Sequence, residues 1–113
     1  SAYTFGRIYE ARGDRKGAVR EYGRALFVWT MFLQSDPARA EEIFARLQTL
    51  TPDPYEAEGR ASGACEYLRA KASSALNEPA PEPKRRALRD LAAWEAHCLH
   101  LRPFIDDGSD ERA

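Results

Sequence analysis

The sequence predicts an all-α domain of about five helices folded back on one another as antiparallel hairpins. Three observations carry this. Alanine and arginine are abundant while β-branched residues are scarce, a bias toward helix over sheet. Apolar residues recur at helical spacing in successive segments. Between those segments stand a glycine, an Asp-Pro pair and proline-rich breaks. The 113 residues are 43% hydrophobic and 31% charged, which suits one domain with a real core and excludes wholesale disorder.

The first segment runs from about Ala2 to Arg12, with Phe5, Ile8 and Tyr9 on one face. Gly13 ends it, because glycine takes the left-handed cap without a steric penalty. Asp14 then caps the next helix by accepting from its free N–H groups. Arg12-Gly13-Asp14 matches a cell-adhesion tripeptide, but the turn explains it fully. The second segment, about Arg15 to Gln34, carries a stripe of Ala18, Val19, Tyr22, Ala25, Leu26 and Leu33. From Ala25 to Leu33 it is apolar nearly all round, which predicts either a central helix covered on several sides or a docking patch centred on Trp29 and Phe32.

Asp36-Pro37 opens the third helix, with aspartate as cap and proline at the first helical position. Its face is Ala40, Ile43, Phe44, Leu47 and Leu50. Thr51-Pro52-Asp53-Pro54 is the sharpest break, and Asp53 with Glu56 has capping-box spacing. The fourth helix is expected to reach about Leu76 and to bury a face of small residues, among them Ala57, Ala61, Ala64, Cys65 and Ala72. The stretch from Asn77 to Pro83 reads as a proline-rich connector. The fifth helix is expected over Lys84 to Leu101, with Leu88, Leu91, Trp94, Cys98 and Leu101 inward, stopped by Pro103. A globular unit over residues 1–105 is then followed by a polar, acidic tail, 106–113, expected to be disordered.

Several function classes find no support. The formal net charge of −1 gives no global attraction to nucleic acid or anionic membrane. The longest apolar run, Ala25 to Leu33, is far short of the roughly 20 residues a membrane span needs. Cys65 and Cys98 lack metal or redox spacing and read as small buried hydrophobes in a reducing compartment. That points to the cytoplasm. His97 and His100 share one side of a helix, but a metal needs further ligands and Glu95 points elsewhere, so no metal or cofactor is expected. Lys84-Arg85-Arg86 with Arg89 makes a basic cluster near a helix N-terminus, where cations are disfavoured; it is a solvated face or a patch for acidic segments. The pair Glu41-Glu42 reads as outward solubilising charge. No nucleophile–base set and no phosphate-cradling loop is present, so no enzymatic activity is expected.

Residues 2–26 resemble one tetratricopeptide repeat, a helix-turn-helix unit of about 34 residues. Phe5 and Gly6, Tyr9, the Gly13-Asp14 turn, Ala18, Tyr22 and Ala25-Leu26 carry the likeness. In that pattern Gly6 and Ala18 are small where the helices touch, and Phe5, Tyr9 and Tyr22 seal the margins. Beyond Leu26 the likeness degrades: the expected proline is missing from Phe27 to Phe32, and Ala40 follows Ala18 too soon for a full repeat. The resemblance implies a short right-handed stack of helical hairpins that binds a peptide or helix of another protein. The groove it implies is lined by Tyr3, Arg7 and Glu10. Two other roles are compatible with the same residues. One is a homodimer through the Phe27–Phe32 region, and the other is a regulatory helical domain of a larger enzyme. The absence of an initiator methionine suggests a piece of a longer chain.

Overall fold

The computed structural model describes residues 1–33, 35–55 and 63–99. They form five α-helices and, among the described residues, no strand: α1 (Ala2–Ala11), α2 (Arg15–Val28), α3 (Pro37–Leu50), α4 (Gly63–Leu76) and α5 (Pro81–Cys98). A π-helical turn, Trp29–Leu33, extends α2. The fold is all-α, as the sequence predicts.

Local punctuation sets these boundaries. Gly13 takes φ +76, and Asp14 then accepts from the Gly17 amide at 2.9 Å. The adhesion-like tripeptide is thus consumed by a helix-to-helix turn. Asp36 accepts from the Arg39 amide at 3.2 Å, and Pro37 needs no amide partner in the first turn. Helix α5 starts earlier than expected, at Pro81. Both Pro81 and Pro83 sit in its first turn, where the N–H groups they lack would have had no intrahelical acceptor. The proline-rich connector is therefore partly helix. Glu56, Ala57, Ala61, His100, Leu101 and the tail 106–113 lie outside the described residues.

Helix α2 is the centre of the molecule. It packs against α1, α3 and α4, while α4 also packs along α5. The main core joins Tyr22 and Leu26 of α2 to Ile43 and Leu47 of α3 and to Ala64 and Tyr67 of α4. A second, smaller core lies between α4 and α5 and consists of Cys65, Leu68, Trp94 and Cys98. Two glycines allow the close approaches. A Cβ on Gly6 would lie 2.6 Å from the Tyr22 ring, so the α1–α2 contact is a ring seated on a missing side chain. A Cβ on Gly63 would lie 2.0 Å from the Gly23 carbonyl oxygen, so α2 and α4 cross backbone to backbone.

The structure corrects several sequence expectations. Cys65 and Cys98 are not free thiols; they are joined in a disulfide that bridges α4 and α5. Both are fully buried, as expected, but the reducing-compartment reading, and the cytoplasmic location built on it, loses its basis. No described helix is long and apolar enough to cross a membrane. Phe5, at 53% exposure, and Ile8 lie on the outer side of α1 and do not seal its contact with α2. The buried side is centred on Gly6, because the Tyr22 ring needs a residue without a side chain there. Leu33 and Leu88 are exposed at 62% and 61% instead of facing inward. On α5 it is Ala87 that meets the neighbouring helix.

Candidate functional site

The site is built on tyrosine–glutamate hydrogen bonds that tie one helix to the next. The Tyr22 hydroxyl donates to Glu10 Oε1 at 2.7 Å, joining α2 to α1. Burial, and then the Glu10 carboxylate, push the Tyr22 pKa up from 10.0 to about 12. Tyr3 donates to Glu42 Oε1 at 3.0 Å, joining α1 to α3. Tyr67 donates to Glu41, joining α4 to α3. The pair Glu41-Glu42 is therefore not idle surface charge: each carboxylate holds a tyrosine of a different helix, since adjacent helical positions point about 100° apart.

Tyr67 and Glu41 form one wall of a cleft, a hollow of about 550 Å³ between α3, α4 and α5. Its size falls in the range of about 300–1,000 Å³ common for ligand sites. A second hollow of about 490 Å³ adjoins it and shares Glu41, Lys71, Ala75, Pro83 and Arg86. Trp29 and Tyr67 supply an aromatic wall, their rings edge to face with centroids 5.8 Å apart. Lys71 Nζ sits 3.1 Å from Glu41 Oε1 and 5.9 Å from the Tyr67 ring centroid. Burial opposes the Glu41 charge, yet the hydrogen bonds from Tyr67 and Lys71 prevail and hold its carboxyl below the ordinary range. Burial, reinforced by Glu41, raises the Tyr67 hydroxyl well above its ordinary value. Tyr67 is thus a fixed hydrogen-bond donor at neutral pH.

The cations divide into satisfied and unsatisfied ones. Lys71 is met by Glu41, and Arg85 by Glu82 at 2.5 Å. Arg86 lines both hollows and Arg89 the second, and among the described residues neither has a carboxylate within ion-pair distance. Asp90 lines the same hollow.

Comparison with known protein families, curated proteins and solved structures finds no match to this chain.

The five residues singled out from the sequence fall in three places. Trp29 lines the cleft, half-buried, with its indole N–H donating to the Ser35 carbonyl. Phe32 projects from the π-helical turn at 74% exposure, beside exposed Met31 and Leu33. Tyr3, Arg7 and Glu10 lie on α1 along its seam with α3. There Glu10 also meets Arg46 at 3.4 Å, and the Arg39 guanidinium covers the Tyr3 ring at 4.2 Å. Tyr3 and Glu10 are thus engaged in holding helices together. Arg7, Glu10, Ala11 and Arg46 border a small hollow of about 250 Å³.

Sequence reasoning missed Glu41, Tyr67 and Lys71. The only sequence signal was that Tyr67 and Lys71 are four residues apart and so share a helix face; their partner on α3 has no sequence signature. His97, weighed as a metal ligand, stacks on Tyr55 at 5.0 Å. Burial, then Asp90 and Asp53, raise the Tyr55 hydroxyl. This stack ends an aromatic line, Trp29–Tyr67–Phe44–Tyr55–His97, that connects the cleft to the disulfide end of α5.

Proposed function

We propose that this chain is a non-enzymatic protein–protein interaction module that holds a peptide or helix of a partner protein in the cleft between α3, α4 and α5. The observation that carries the reading is the cleft itself: about 550 Å³, walled by Trp29 and Tyr67, with Glu41, Tyr67 and Lys71 of its lining already paired to one another. A fixed aromatic wall presents apolar area with little entropy to lose on binding, which is what a docking surface needs. Glu41 is occupied by Tyr67 and Lys71, an arrangement suited to rigidity and poorly suited to proton transfer. The tetratricopeptide likeness of residues 2–26 belongs to this reading as the scaffold that presents α3 and α4. The groove on α1 implied by that likeness is the weaker location, because Tyr3 and Glu10 already hold α3 and α2.

Panning a random peptide library against the oxidised protein tests the proposal. Enriched peptides are expected to lose binding to Ser74→Trp, which fills the cleft, and to keep it with Arg7→Ala. Enrichment of peptides indifferent to Ser74→Trp rejects the cleft, and no enrichment at all rejects the module.

A second reading is favoured by one observation. Val28, Met31, Phe32 and Leu33 are all 41% or more exposed on one short stretch, an apolar patch suited to a second copy of the chain. Sedimentation equilibrium checks it: a dimer that Phe32→Glu converts to monomer supports self-association, and a wild-type monomer at high concentration removes it.

A further inference from the structure

We infer that the partner segment is acidic, and that its carboxylates pair with Arg86 and Arg89 while an apolar side chain lies against Trp29 and Tyr67. This rests on the proposed binding role of the cleft and adds the chemistry of what binds. The argument is charge complementarity. Lys71, which lines the cleft, has Glu41 at 3.1 Å, and Arg85, on α5 one residue from Arg86, has Glu82 at 2.5 Å. Arg86 and Arg89 have none among the described residues, although they face the same hollow as Glu41 and Asp90.

Asp90 does not relieve them, since no ion pair joins it to either arginine. Their placement is also not one that α5 itself favours. Lys84, Arg85, Arg86 and Arg89 crowd the N-terminal half of the helix, where the dipole acts against Lys84 in the first turn and repulsion at three- and four-residue spacing acts against Arg86 and Arg89. Arginine presents a planar fork of donors, matched to a carboxylate in a way lysine is not. Two such forks one helical turn apart suit acidic side chains on successive turns of a bound helix, or two residues apart on an extended strand. The Trp29–Tyr67 wall at the other end of the cleft then sets the register by taking an apolar residue of the same segment.

The test uses a fluorescein-labelled decapeptide with a central leucine and tryptophan flanked by aspartate and glutamate. Two control peptides carry glutamine and asparagine, or lysine, at the same positions. Fluorescence anisotropy is measured with the full chain in its oxidised form. The acidic peptide is expected to bind, to weaken as salt is raised, and to lose at least tenfold in affinity with Arg86→Glu/Arg89→Glu. Arg12→Glu/Lys16→Glu makes the same change in net charge away from the cleft and is expected to leave affinity within twofold. Circular dichroism of each variant establishes that it is folded. Equal losses in the two double variants, equal binding of the neutral peptide, or no binding of the acidic peptide each overturn the inference. If the library-selected peptides still require an open cleft while the acidic probe fails, the module stands and its acidic specificity falls.

Discussion

The two ends of this molecule are held together by different means. At the main core, side chains of α2, α3 and α4 interlock with α1 packed along the edge through Tyr3 and Tyr9, and carboxylates on helix surfaces accept hydrogen bonds from tyrosines of their neighbours. In the α4–α5 hairpin the core is a cluster around Leu68 and Trp94, and a covalent bond between Cys65 and Cys98 closes it. Many modest contacts do in one region what one cross-link does in the other. A small core is where a disulfide is most needed, because little apolar area offsets the entropy of ordering two helices. The cleft lies across the junction, with α3 on one wall and α5 on the other. Its shape therefore depends on both devices.

The contrast makes graded predictions. The largest effect is expected from Cys65→Ala/Cys98→Ala, about 2–5 kcal/mol of stability by urea denaturation. Hydrogen exchange locates it: amides of α4 and α5 should lose protection before those of α1–α3. Uniform loss along the chain would show that the two regions are one cooperative unit. Next is Gly63→Ala. With its Cβ directed at the Gly23 carbonyl oxygen, α2 and α4 must move apart, at a cost of about 1–3 kcal/mol. Thermal melts check this, and an unchanged midpoint would mean that the crossing is looser than the structure places it.

Tyr22→Phe is expected to cost about 1.5 kcal/mol, the low end for a lost hydrogen bond to a charged group, because Glu10 keeps its contact with Arg46. It has a pH signature. The Tyr22 pKa is higher in the folded protein, about 12 against 10.0. The folded state thus favours the protonated phenol, and the contribution is complete below pH 10 and declines as pH rises toward 12. The variant should lose stability at neutral pH and show a shallower alkaline decline than the wild type, as followed by circular dichroism. The carboxyl of Glu41 has the opposite dependence: its folded pKa is lowered, so its contribution is present at neutral pH and lost as pH falls through the acid range. The smallest effect is expected from Phe5→Gln and Leu88→Gln. Both side chains are more than half exposed, and each change should stay within about 0.5 kcal/mol in the same melts.

The helices and their ends are written in short-range chemistry and can be read along the chain. Gly13-Asp14 and Asp36-Pro37 act through bonds to residues three positions away, so no knowledge of the rest of the molecule is needed to place them. The face of α3 was equally plain, because Ala40, Ile43 and Leu47 follow the helical repeat without a competing stripe. On α1 two stripes compete. The apolar one, Phe5 and Ile8, faces out, and the one centred on a glycine faces in, because a tyrosine from another helix fills that gap. The Cys65–Cys98 bond, the Gly23–Gly63 crossing and the Glu41–Tyr67–Lys71 cluster share this character. Each is a meeting of residues far apart in sequence whose fit depends on the shapes of two elements at once. Periodicity says that a helix has a side to bury; which side that is depends on the surface it meets, and such a surface exists only once the other helices have packed.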